Sequence, residues 1–99
     1  MRLTILVSAL SDLRTGRQFY DKQGEGLGDY FYDSLFSDID SLILFGGIHQ
    51  KVFGYPRLLS KRFPYAVYYK IEGVTVIVMR ILDLRRNPDQ TRKALTELA

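Results

Sequence analysis

Three features of this 99-residue sequence predict an α+β domain. Residues 65–82 hold two runs rich in Val, Ile and Tyr on either side of Glu72-Gly73. Branched and aromatic side chains suit a pleated, half-buried surface, so this stretch reads as an antiparallel hairpin. Residues 8–45 instead space their apolar side chains at three- and four-residue steps, the mark of helix faces. Helices then precede strands rather than alternating with them, which points to a mostly antiparallel sheet. The expected order is a short N-terminal strand, an antiparallel two-helix hairpin, a three-stranded antiparallel sheet and a short C-terminal helix. One domain spans 1–99.

Each element has a local reason. Residues 2–7 are β-prone and form a short first strand. Ser8 or Ser11 can cap the following helix, with Asp12 in its first turn. Leu10, Leu13, Arg17 and Tyr20 mark its inner face to about Gln23, and Gly24-Glu25-Gly26 breaks it. A second helix shows Leu27, Phe31, Leu35, Ile39 and Leu42 or Ile43 as a stripe, widened by Tyr30 and Phe36. Gly46-Gly47 stops it in the manner of a glycine cap. Residues 48–56 form a connection or a short edge strand, with Gly54 and Pro56 as breakers. Residues 58–63 form a strand that Pro64 turns into the hairpin.

A two-residue turn at Glu72-Gly73 sets Ile71 opposite Val74, Tyr69 opposite Val76, Val67 opposite Val78 and Tyr65 opposite Arg80. That face is apolar and should meet the helices. The other face carries Ala66, Tyr68, Lys70, Thr75, Ile77, Met79 and Ile81, polar near the turn and apolar beyond it. Left uncovered, it would be a groove. Asn87-Pro88 stops the last strand, and a final helix over 89–98 presents Leu95 and Leu98 inward.

Composition narrows the chemistry. With 46% hydrophobic and 25% charged residues the chain is ordinarily globular. The absence of cysteine excludes disulfides, thiolate nucleophiles and Cys-ligated metal, and fits a reducing compartment. One histidine, His49, argues against a zinc site or a Ser-His pair, and it reads as a surface or helix-terminus residue. The apolar start is too short for a signal h-region and no run is long enough to span a bilayer, so no membrane association and a cytoplasmic location are expected. No cofactor is implied. The net charge of +3 is uneven: residues 25–47 carry five acids and no base, whereas residues 48–99 carry ten bases and four acids. The first segment repels polyanions and the second attracts them.

No enzyme motif is present. The glycine-rich stretches at 24–28 and 46–47 lack the spacing and lysine of phosphate loops. Ser60 has no neighbouring base. Asp29, Asp33 and Asp40 have no basic or metal partner nearby and read as a solvated helix face. A basic cluster on the late strands remains: Lys61, Arg62, Lys70, Arg80, Arg85 and Arg86, with Tyr65, Tyr68 and Tyr69 interleaved. Arginines offer bidentate donors to phosphate or carboxylate, and tyrosines offer ring faces to bases. The plainer alternative is packed tyrosines with solvated charges.

Residues 57–73, from Arg57-Leu-Leu-Ser-Lys-Arg through Ile71-Glu-Gly, and residues 76–88, ending Asp83-Leu-Arg-Arg-Asn-Pro, resemble the RelE/ParE superfamily of toxins from type II toxin–antitoxin modules. The shared pattern is an arginine-rich strand, a YRxxY-like strand, an acidic or glycine turn, a hydrophobic strand and a closing xRRxP. With the helical hairpin and first strand, the resemblance covers nearly the whole chain. It implies a plasmid-stabilisation toxin that a cognate antitoxin neutralises. RelE-like members cut mRNA on the ribosome, yet Ala66 stands where their YRxxY arginine would be, and no C-terminal tyrosine or histidine follows Arg86. RNA cleavage needs a base for the 2′-hydroxyl and a donor for the leaving oxygen. The departure favours the ParE-like branch, whose members are thought to bind DNA gyrase. The target surface is expected at Lys61, Arg62, Arg80, Arg85 and Arg86, and the antitoxin surface at Tyr68, Ile77, Met79 and Ile81. The alternatives are a ribosome-dependent endonuclease using Lys61, Arg85 and Arg86, or a non-toxic protein-binding member.

Overall fold

The computed structural model describes residues 1–97 and shows an α+β fold whose helical hairpin backs one face of a five-stranded sheet. The elements run β1 (Arg2–Ile5), α1 (Val7–Gln23), α2 (Leu27–Asp40), a single turn α3 (Leu42–Phe45), β2 (Lys51–Val52), β3 (Tyr55–Leu59), β4 (Tyr65–Glu72), β5 (Thr75–Asp83) and α4 (Pro88–Thr96). The spatial order is β1-β5-β4-β3-β2. Five strands replace the expected three because β1 joins the sheet, parallel to β5, and Lys51–Val52 adds a short antiparallel edge beside β3. Leu98 lies outside the described residues.

The central hairpin forms as expected, with a shifted turn. Glu72 pairs with Thr75, so the turn is Gly73-Val74, and Gly73 (φ +59°) takes the first central position. A type II′ turn asks for glycine there rather than second. Tyr69 consequently faces Val78 and Ile71 faces Val76. The partners move by two residues, so the faces survive. A bulge between Tyr68/Tyr69 and Met79 then moves the register by one and does exchange faces. Ile81 thereby joins the core against the helices, and Tyr65 pairs with Asp83 instead of Arg80.

The main core joins Ala9 and Leu13 of α1, Phe31, Leu35 and Ile39 of α2, Leu42 of α3, and Tyr65, Val67, Tyr69, Val76, Val78 and Ile81 of the sheet. The inner face of α1 is Ala9, Leu13 and Gly16, not Leu10 and Arg17, which turn outward. The first turn of α1 is not capped by Ser8 or Ser11. Ser8 Oγ donates to the Met79 carbonyl at 2.7 Å, and the Asp12 carboxylate accepts from Ile81 N at 2.9 Å. These two side chains satisfy the edge of β5 where β1 ends. The long second helix breaks at Ser41, whose Oγ bonds the Asp38 carbonyl at 2.6 Å, and Leu42 rather than Ile43 goes inside.

The other sheet face is only partly open. α4 lays Ala94 and Leu95 over Ala66, Tyr68 and Leu82, with Val52 and Tyr55 at the margin. The amphipathic pattern of α4 needs a partner, and the apolar far end of β4 and β5 supplies it. This overturns the expectation of a groove there.

Candidate functional site

The basic residues at 61–62 and 85–86 lie at one rim of the sheet, on loops. Residues 60–64 leave the β ladder rather than extending it, so Lys61 and Arg62 are loop residues, exposed to solvent. Asp38, buried on α2, draws this loop in: it accepts Ser60 Oγ at 2.8 Å and Lys61 N at 3.4 Å. Leu84 N donates to the Pro64 carbonyl at 2.8 Å, which ties the loop to the turn carrying Arg85 and Arg86. Beneath both lies an aromatic cluster of Tyr20, Tyr30, Phe31, Phe63 and Tyr65, with neighbouring ring centroids 4.9 to 5.4 Å apart. Edge-to-face packing of this kind favours one arrangement of rings over many.

Arg85 is held as well as displayed. Its backbone N–H, Nε and Nη2 all donate to the Asp83 carboxylate, at 2.8, 2.9 and 2.7 Å. The Arg85 guanidinium holds the Asp83 carboxyl below its usual range, and the same pair drives Arg85 further from deprotonation. Arg85 also lies over the Phe19 ring at 5.9 Å, and Arg62 over the Tyr30 ring at 6.0 Å. Arg86 makes no ion pair among the described residues. A cavity of about 360 Å³ opens beside it, bounded by Asp12, Thr15, Tyr65, Arg80 and Gln90.

The remaining predicted residues are elsewhere or spent. Arg80 makes a bidentate pair with Asp12, through Nε at 2.8 Å and Nη2 at 2.9 Å, and both side chains are mostly buried. It anchors α1 to β5 through that pair, and the same side chain borders the cavity beside Arg86. Lys70 pairs with Glu72 near the hairpin turn. Tyr65, Tyr68 and Tyr69 are buried, so none of these three offers a free ring face. The exposed rings at the rim are Phe19 and Tyr30, contributed by the helical hairpin. Of the residues expected to meet an antitoxin, Tyr68, Met79 and Ile81 are buried, and only Ile77 is half-exposed. The bulge turns Ile81 into the main core, and α4 covers Tyr68.

The rim suits anion binding more than proton transfer. Burial, then the Asp83 carboxylate, pushes the Tyr65 hydroxyl up to about 12, so it stays protonated at neutral pH. Ala66 is fully buried under α4 and opens no place for an arginine over the sheet. His49 is engaged away from the rim: its Nδ1 meets the Tyr69 hydroxyl, which also accepts Gly47 N at 3.0 Å. No described helix is long and apolar enough to cross a membrane.

No family model matches the chain, and no curated protein matches it. Among solved structures, a chain of the chromosomal ParDE toxin–antitoxin system from P. aeruginosa superposes with a TM-score of 0.75 at 19% sequence identity. The superposition covers 86% of this chain and 97% of that one. The RelE/ParE-like fold expected from the residues is therefore the fold observed.

Proposed function

We propose that this chain, which has the fold of a ParDE toxin–antitoxin protein, is the toxin of a type II toxin–antitoxin module and acts by binding its target. The fold likeness carries the module assignment. The rim supports binding over cleavage, because its cations are Lys61, Arg62, Arg85 and Arg86 and its one buried hydroxyl, Tyr65, is held protonated. A macromolecule with an acidic or phosphate-bearing surface is the partner such a rim attracts, with DNA gyrase the candidate target and plasmid stabilisation the biological role. A cognate antitoxin, expected from the neighbouring reading frame, would cover the rim with acidic side chains. The test is to induce the chain alone in bacteria. Growth arrest with DNA-damage signalling, relieved by co-expression of the neighbouring protein, is expected. Arrest with cleaved transcripts and no DNA damage would replace this function with ribosome-dependent mRNA cleavage, and harmless expression would leave only a protein-binding module.

A further inference from the structure

β1 is the last strand on its side of the sheet, and only one of its edges is used. Arg2 N donates to the Val74 carbonyl at 2.8 Å and Leu6 N to the Val78 carbonyl at 3.0 Å, so the even-numbered residues face β5. Leu3 and Ile5 therefore turn their N–H and C=O groups the other way. Among the described residues neither has a backbone hydrogen-bond partner on that open side. Such a row of free groups is a template for a further strand, and proteins that keep an edge apart blunt it with lysine, proline or a bulge. Residues 1–11 contain no lysine, proline or acid, and Arg2 is their one charge. The β1 ladder has no bulge.

The edge is complementary to itself. When a second β1 runs antiparallel to the first about Thr4, Leu3 of each copy lies opposite Ile5 of the other. Both are then hydrogen-bonded pairs, and all four free groups on each copy are used. Centred on Leu3 or Ile5, the pairing would instead need Met1, whose amino group is held by the Ile43 carbonyl at 3.3 Å, or Val7, which is already helical. Thr4 meets its own symmetry mate, and threonine pairs across strands are favourable. Arg2 comes opposite the apolar Leu6, so no like charges meet. Leu3 and Ile5, half-buried against the main core, set their side chains next to each other on the helix-backed face. The apolar layer thereby runs on from one copy into the next.

Exposed apolar side chains flank this edge. Met1 and Val7 lie at the two ends of β1, with Val7 81% exposed, and α3 with its exposed Ile43, Leu44 and Phe45 stands beside Met1. In the Thr4-centred pairing, Met1 and α3 of one copy approach Val7 of the other. The strand backbone and these five side chains offer roughly 500 Å² on each copy, which doubles to the size at which a specific interface begins. We propose that two copies of this chain pair through the open edge of β1, antiparallel about Thr4, joining two five-stranded sheets into one. β1 pairs with residues 75–78, at the other end of β5 from Arg85 and Arg86, so the pairing leaves both cationic rims open. This goes beyond the toxin assignment and does not depend on it.

The test begins with sedimentation of the full chain, which should show a dimer that dissociates on dilution. Amide exchange at Leu3 and Ile5 should be slow in the dimer and fast after dilution, since neither N–H has a partner in the single chain. Thr4→Lys sets two ammonium groups opposite each other and should weaken the pairing roughly tenfold or more. Thr4 is exposed, so the dilute variant should melt where the dilute parent does. The chain has no cysteine, so introduced ones report alone. Thr4→Cys should cross-link on oxidation, because a non-hydrogen-bonded pair stands ~4.5 Å apart at Cα, within disulfide range. Arg2→Cys, on the same face but ~14 Å from its mate in this register, should not. A single chain at every concentration, unchanged pairing in Thr4→Lys, or Arg2→Cys cross-linking as fast as Thr4→Cys overturns the proposal. Protection of Leu3 and Ile5 only when the protein of the neighbouring reading frame is added also overturns it, and gives the edge to that partner.

Discussion

Asp38 places the cationic rim with one carboxylate. Its oxygen holds Ser60 and Lys61 against α2, so Asp38→Ala leaves the loop's donors without their acceptor and should cost about 1–3 kcal/mol in urea unfolding. Faster amide exchange at Lys61, without change in β4, would place the loss in the loop. Asp38 was legible in hindsight: it stands between Leu35 and Ile39 on the apolar stripe, where a charge needs a partner. Its partner, 22 residues away in sequence, was not. The same holds for Arg80, whose claim on Asp12 spans 68 residues. Asp12→Ala should cost about 3 kcal/mol, because it strands a mostly buried guanidinium, and adding Arg80→Met should recover part of that loss. His49 gives a pH signature. Burial lowers its pKa from 6.5, so the unfolded chain takes up the proton first. Stability is then full above pH 6.5 and falls as the pH drops below it toward the folded value. Melting temperatures between pH 7.5 and 5.5 should show this slope, and His49→Gln should flatten it.

Between elements, close approach decides more than propensity. A Cβ on Gly28 would meet the Arg17 carbonyl oxygen at 2.7 Å, and one on Gly16 would meet the Phe31 ring at 2.5 Å. Alanine gains about 1 kcal/mol of helix propensity over glycine. A backbone oxygen cannot swing aside, so Gly28→Ala should still be destabilising, by about 1–3 kcal/mol in denaturant unfolding. A stabilised Gly28→Ala variant would mean the hairpin is looser than this packing. The two helices and the β4–β5 hairpin were legible because period and composition are local signals. The bulge at Met79 was not, since nothing in an unbroken run of Val, Ile and Met marks where one strand gains a residue. That one residue moved Ile81 from an open face into the core.

Across the whole molecule, loops from distant parts of the chain make one charged edge, and its arginines do different work. Arg86→Ala should reduce growth inhibition while leaving the melting temperature within about 1 °C, as for an exposed surface change. Arg85→Ala should reduce both, because Asp83 loses the donor that lowers its pKa. For that carboxyl the added stability is present above its unfolded pKa of 3.8 and lost as pH falls through the folded value, so the two variants should differ at pH 6 and converge as the pH falls below that folded value. Equal loss of stability in both would contradict the separate roles.

By itself the sequence determined the α+β class, the order of helices before strands, the central hairpin and the clustering of late basic residues, because each is written in spacing along a few neighbouring turns or pleats. Only the tertiary structure decided which cations face solvent, that α4 covers Ala66 and Tyr68, and that Phe19 and Tyr30 supply the exposed rings. Those outcomes depend on partners tens of residues apart competing for the same charge or the same apolar patch, and no local pattern records who wins.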